Sequence, residues 1–183
     1  MIWTRFRRQP SDRQETIATL YGMIVAQARL PVFYRDYGVA DTVNGRFDLI
    51  VLHLALVLDR LTERSSLHPA GQQLFDRFCQ DMDDNLREMG ISDLKVPKEM
   101  KRMGQAFYGR SKAYLDGLDD RRALVAALTR NIYGGAPSAA DNAPRLADYI
   151  ARAVGDLKAQ DAAAIIAGRL TFPDPAAVPV PIA

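Results

Sequence analysis

The acidic residues best placed to do chemistry lie in one run, Asp81-Met82-Asp83-Asp84-Asn85-Leu86-Arg87-Glu88-Met89-Gly90. Asp81, Asp84 and Glu88 fall on one helical face by their i, i+3, i+7 spacing. Three carboxylates on a face could bind a hard cation. An EF-hand loop, however, needs alternating ligands and a central glycine, and the run has neither. The Glu-x-x-His pairs of di-iron bundles are also missing. The run therefore reads as a solvated acidic face with Arg87 as its internal partner. The competing function is a metal- or quinone-using small-molecule enzyme built on the acidic helix 81–88, with His53 as a helper. His53 sits among leucines, where a lone histidine is expected to be a hydrogen-bonded core residue. Cys79 has no histidine near it in sequence to activate it. No phosphate-binding loop, dinucleotide fingerprint, nucleophile elbow or Cys/His metal spacing occurs. The reading assigns no catalytic residue, no metal ligand and no cofactor.

Charge is more informative than nucleophilicity. Residues 81–94 carry Asp81, Asp83, Asp84, Glu88 and Asp93 against Arg87 alone. Residues 95–112 carry Lys95, Lys98, Lys101, Arg102, Arg110 and Lys112 against Glu99 alone. In an antiparallel hairpin the two blocks could pair with each other. Alternatively they present a bipolar surface that orients a partner. Met82, Met89, Met100 and Met103 span the same hairpin, as core filler or as an adaptable apolar groove. Gly104 and Gly109, with Ser111 nearby, suggest close approach of another backbone or a kink.

The longest apolar run must position these groups. From Arg46 to Leu61, apolar residues recur at 47, 50, 54, 57, 58 and 61, and Leu49, Leu52 and Leu56 form a second face. A helix apolar nearly all round must be covered on most sides. The run is shorter than the roughly 20 residues a membrane span needs. It is therefore expected to be the buried central helix of an all-α domain. Before it, Ser11 and Gln14 have capping-box spacing, and a helix with Ile17, Leu20, Tyr21 and Ile24 stops at Pro31. A short aromatic turn ends at Gly38, and 41–45 reads as a loop capped by Asp41 or Thr42. After the central helix come helices over about 70–89, from Pro97, and from Asp119 or Asp120 to Gly134-Gly135. Two shorter ones span 144–154 and 161–170. Prolines at 173, 175, 179 and 181 predict an extended or disordered end. The expected architecture is a single compact multi-helix bundle around 46–61 with a Pro-rich tail. Its segments are 1–9, 10–170 and 171–183.

The chain has 48% hydrophobic and 25% charged residues, which fits a globular protein. Its 24 basic and 22 acidic residues give no polyelectrolyte argument for nucleic acid. One cysteine suits a reducing compartment. No secretory signal or mitochondrial presequence is apparent. Residues 1–9 combine Trp3 and Phe6 with Arg5, Arg7 and Arg8. These five could contact an anionic membrane interface, or the segment could pack Trp3 on the domain.

Motif by motif, the chain resembles the ubiquinol–cytochrome c chaperone family. The matching strings are Tyr21…Gln27-Ala28-Arg29…Phe33-Tyr34, Gly38-Val39, Asp41-Thr42…Gly45-Arg46-Phe47, Leu52-His53 and Phe75-Asp76. The run 81–90 follows, then Asp93-Leu94, Val96-Pro97-Lys98 and Ala106-Phe107-Tyr108-Gly109-Arg110. Ser92 replaces a usual glycine, and an aromatic usual near Cys79 is missing. The resemblance covers about 15–118, and no family motif is found in 119–183. It implies a non-enzymatic assembly chaperone that binds newly made cytochrome b, supports haem insertion and serves the respiratory bc1 complex. Mitochondrial members of the family act with a small partner protein, and whether this chain has one is left open; the lack of a presequence suits a bacterial member at the cytoplasmic side of the inner membrane, with peripheral membrane contact possible. The polar residues of the matched strings, with two tyrosines, are the expected client contacts: Tyr34, Asp41, Arg46, Asp81, Asp84, Arg87, Glu88, Tyr108 and Arg110. They are expected to gather around a groove beside the Gly90 turn.

Overall fold

The computed structural model describes residues 12–63 and 68–179. Trp3, Arg5, Phe6, Arg7 and Arg8 lie outside the described residues. Eight α-helices occur among the described residues, with no strand: α1 (Asp12–Ala28), α2 (Pro31–Arg35), α3 (Val43–Thr62), α4 (His68–Glu88), α5 (Val96–Asp116), α6 (Arg121–Asn131), α7 (Ala139–Ala159) and α8 (Ala162–Ile166).

Helix α3 is the centre of the bundle. It packs against α1, α4, α5 and α7. Leu49 and Leu52 are fully buried, and Leu56 is 2% exposed, so neither apolar face is left for a client. Burying such leucines is worth about 1.5–3 kcal/mol each, which is why the surrounding helices assemble on this one. The helix is longer than its apolar run at both ends. Thr42 accepts a hydrogen bond from the Gly45 amide and so caps a helix that begins at Val43. Asn44-Gly45 is therefore helical, not part of the expected loop. Gly45 is there for space: a Cβ on it would lie 2.0 Å from the Ala40 carbonyl oxygen.

Helices α1 and α4 run in the same direction. Arg13 Nε donates to Gln73 Oε1, and Tyr21 OH to Asp81 Oδ2, with the same sequence offset. By length and composition the stretch Arg13–Arg35 could cross a membrane. In the fold Leu20, Tyr21, Ile24 and Ala28 are buried, and α1 packs on α3 and α4. Helix α4 ends in a Schellman motif. Gly90 has φ +79°, its amide donates to Arg87 O, and the Ile91 amide donates to Leu86 O. The next helix returns antiparallel, with Phe107 stacked against Phe75 and Phe78 at centroid distances of 5.0 and 5.4 Å.

Helix α7 runs from Ala139 to Ala159, not 144–154, and keeps Pro144 inside it. Its inner face carries Leu146, Tyr149, Ile150 and Ala153, all fully buried. That burial outweighs the one backbone hydrogen bond a proline removes. Helix α8 is shorter than expected, ending at Ile166. A turn at Ala167-Gly168, with Gly168 at φ +78°, closes it, and the chain beyond is irregular apart from a 3-10 turn at Pro175–Ala177. It lies against the body, with Leu170 and Val178 each 2% exposed.

Candidate functional site: one end of the bundle

Because α1 and α4 are parallel and α3 and α5 are antiparallel to α4, four segments meet at one end. They are the α1–α2 corner, the start of α3, the end of α4 and the start of α5. The largest exposed apolar residues are Val43 (65%), Met89 (61%), Leu94 (93%) and Tyr108 (63%). Val43 opens α3, and Met89 and Leu94 flank the Gly90 turn.

An open hollow lies there, lined by Arg29, Pro31, Tyr34, Arg35, Asp41 and Arg46. Tyr34 OH donates to Ala28 O at 3.0 Å, so α2 folds back on the end of α1. Arg46 Nε lies 2.7 Å from Asp41 Oδ1. That contact holds the Asp41 carboxyl below its ordinary range and raises Arg46. Arg35 pairs with Asp36 at 2.5 Å. Arg29 takes part in none of the ion pairs among the described residues, nor do Lys95, Lys98 and Lys101. All four are exposed.

The opposed charge blocks do not neutralise each other. Arg87 pairs with Asp83 at 2.6 Å, and also with Asp93. Arg102 pairs with Glu99, and Lys112 with Asp116. Among the described residues no ion pair joins the acids of α4 to the bases of α5. The end of the bundle is therefore bipolar, with exposed apolar side chains beside both signs of charge.

The expected client residues divide into groups. Tyr34, Asp41 and Arg46 share the hollow. Asp84, Arg87 and Glu88 are exposed on the last turns of α4, whereas Phe47, next to Arg46, packs on Phe78 at 6.2 Å, twelve residues before Gly90. Asp81 accepts the Tyr21 hydroxyl and pins α1 to α4. Arg110 lies 3.0 Å from Asp48 and its guanidinium sits 5.6 Å over the Phe47 ring. Tyr108 does not join them: its ring stacks on Phe75 at 5.7 Å. Phe75 is fifteen residues before Gly90, about 22 Å along a helix. The methionines also divide. Met82 is 6% exposed and Met100 and Met103 pack on the core, leaving Met89 at the surface. Gly104 and Gly109 mark no close approach, because a Cβ on either would meet nothing within 4 Å. Among the described residues no three His, Cys, Asp or Glu side chains are grouped to hold a metal ion.

His53 is fully buried. Its Nδ1 lies 2.8 Å from Leu49 O and its Nε2 2.9 Å from Tyr149 OH. A carbonyl can only accept, so Nδ1 carries the proton and Nε2 accepts from the tyrosine. Burial pushes the His53 pKa down to about 4. The ring is thus a neutral structural link. The Tyr149 oxygen in turn accepts from Gln27 Nε2 at 3.0 Å. Sequence reading reached His53, quoted Gln27 only inside a family string, and missed Tyr149 and Arg145, whose guanidinium donates to Asp36 O at 2.9 Å. His53 and Tyr149 are 96 residues apart, Gln27 and Tyr149 122, and Asp36 and Arg145 109, beyond any local pattern.

These features define an all-α bundle that presents, among the described residues, exposed apolar side chains and cations outside any ion pair. The family model described as ubiquinol-cytochrome C chaperone matches residues 35–172. The chain belongs to that family. The match extends well past the motifs, which reached only to about 118, so α6, α7 and α8 are part of the family fold. The chain is also similar to a solved structure, the crystal structure of the Cbp3 homolog from Brucella abortus. The two are 37% identical with a TM-score of 0.84, over 98% of this chain and 100% of that one. No curated protein matches.

Proposed function

We propose that the protein is an assembly chaperone of the respiratory bc1 complex that captures newly made cytochrome b. Capture takes place at the bipolar end of the bundle, and the captured client is held competent for haem insertion. Membership of the chaperone family supports the class. The observation that carries the surface assignment is the open hollow lined by Arg29, Pro31, Tyr34, Arg35, Asp41 and Arg46, with Met89 and Leu94 exposed on either side of the Gly90 turn. Apolar side chains there would cover segments of an integral membrane client. Charges of both signs would set its orientation more than its affinity. Tyr34, Asp41, Arg46, Asp84, Arg87 and Glu88 form the contact set at this end. Arg110 lies behind it, and Asp81 supports it through Tyr21. The proposal includes work at the cytoplasmic face of the inner membrane, where such a client is made.

The test is deletion of the gene, followed by measurement of cytochrome b and of bc1 activity. Both should fall, and re-expression should restore them. Normal bc1 levels in the deletion strain would overturn the proposal.

A further inference from the structure

The outer side of α5 carries charge that the bundle does not neutralise. Leu94 stands in the turn that leads into the helix, and Lys98, Lys101, Tyr108 and Lys112 follow at spacings of three, four and seven residues. At about 3.6 residues per turn these five positions fall on one stripe, which runs about 21 Å from Lys98 to Lys112. All five are exposed, Leu94 to 93% and Tyr108 to 63%. Lys95 and Arg102 border the stripe and are exposed too. Gly104 and Gly109 flank it, and a Cβ on either would meet nothing within 4 Å, so among the described residues no other element presses on this side.

The acids of the helix are already occupied. Glu99 is held by Arg102 at 2.9 Å and Asp116 by Lys112 at 2.7 Å. Lys95, Lys98 and Lys101 take part in no ion pair among the described residues. Of the helices that pack on α5, α6 adds the exposed Arg122 and Arg130, whereas α4 carries the exposed acids Asp76, Asp84 and Glu88. A negatively charged plane laid on α5 therefore leans toward α6 and away from α4.

The stripe suits lipid better than other anions. The exposed side of a helix is convex and meets a plane more readily than a peptide strand. Its unpaired cations are lysines, point charges matched to a diffuse surface potential and not the rigid forks that read single phosphates. Faces that bind single-stranded RNA use aromatic rings and arginines for stacking, and Leu94 offers a base no ring. A leucine beside lysines gains by entering the boundary beneath the headgroups, and a tyrosine is at home at that depth. We propose that the outer face of α5 docks the protein on an anionic lipid bilayer, with Lys95, Lys98 and Lys101 over the headgroups and Leu94 and Tyr108 between them. This docking rests on the proposed function only in placing the chaperone at a membrane, and it uses neither residues 1–9 nor the hollow beside Arg46.

The test is co-sedimentation of the purified full chain with vesicles. It needs no client, so its outcome is independent of the deletion phenotype. Wild type should pellet with vesicles containing phosphatidylglycerol, stay in solution with pure phosphatidylcholine, and be released as salt rises. Lys98→Glu/Lys101→Glu should weaken binding at least ten-fold and Leu94→Ser at least three-fold. Lys158→Glu/Arg169→Glu makes the same change in net charge on exposed residues elsewhere and should stay within two-fold of wild type. Equal binding to both vesicle types, binding to neither, or equal affinity of the two charge-reversed variants overturns the proposal. Tighter binding of polyglutamate or of single-stranded RNA than of the vesicles makes the face a protein or RNA site and also overturns it. If circular dichroism shows Lys98→Glu/Lys101→Glu unfolded, Lys98→Gln/Lys101→Gln against Lys158→Gln/Arg169→Gln decides by the same criteria.

Discussion

His53 shows how a polar residue can be tolerated in the middle of an apolar helix. Each ring nitrogen has one partner, and those partners fix its tautomer. The Tyr149 hydroxyl is the central link, donating to His53 and accepting from Gln27. Tyr149→Phe leaves His53 Nε2 without its donor in a buried site, while Gln27 keeps its bond to Pro173 O, and should cost about 1–3 kcal/mol in denaturant unfolding. Its pH behaviour follows from the depressed His53 pKa. The unfolded histidine titrates near 6.5 and the folded one near 4. Between these values the unfolded state binds more protons, so stability is complete above about 6.5 and falls as pH drops toward 4. The His53 ring should remain neutral by NMR at pH 5. A midpoint near 6.5 in the folded protein would contradict the network.

At the scale of elements, the α3–α5 contact carries the opposite dependence. Asp48 is 5% exposed, and its Oδ1 lies 3.0 Å from Arg110 Nη1 without hydrogen-bond geometry. Burial raises its pKa to about 6, and Arg110 only partly offsets this. The ordinary value is 3.8. Here the folded state binds more protons between 3.8 and 6, so this contribution to stability is lost as pH rises through 6. Asp48→Asn lacks that penalty. The melting temperature of the variant relative to wild type should be higher at pH 8 than at pH 5, and an equal offset at both would count against it. Sequence alone disclosed much at this scale. The apolar run gave α3, Pro31 and Pro97 marked boundaries, and Gly90 marked the end of α4. The failures have physical causes. Pro144 suggested a helix start, but the burial of Tyr149 and Ile150 carries α7 through it. Asn44-Gly45 suggested a turn, whereas Gly45 serves a close contact with Ala40.

For the whole molecule, the order of packing decides which charges remain available. The two blocks flanking Gly90 looked able to cancel in a hairpin, and spacing could not choose between that and a bipolar surface. Among the described residues the bundle leaves Lys95, Lys98 and Lys101 without ion pairs and satisfies Arg87 within its own block. Why Tyr108 stands apart was also illegible, since it depends on how far α5 runs back along α4. Charge reversal at Arg46 and Glu88 should weaken client capture at least five-fold while leaving the melting temperature within a few degrees. Capture by the wild type should fall as salt rises. Unchanged capture, or unfolding of the variant, would remove these residues from the contact surface.

The segment beyond α8 lies on the body through hydrogen bonds from Gln27 to Pro173 O and from Tyr37 to Pro175 O, with a consequence for the birth of the protein itself. Gln27 and Pro173 are 146 residues apart, and Tyr37 and Pro175 are 138 apart. Contacts so distant in sequence close late, because the intervening chain must be ordered first. During translation, α1 and α2 emerge long before α7 exists to cover them. Phe33 and Tyr37 therefore spend most of synthesis without their floor or their roof. A nascent chain of this chaperone exposes the same kind of aromatic surface that its finished form would shield in others, so it is itself a candidate for protection at the ribosome until residue 178 has emerged.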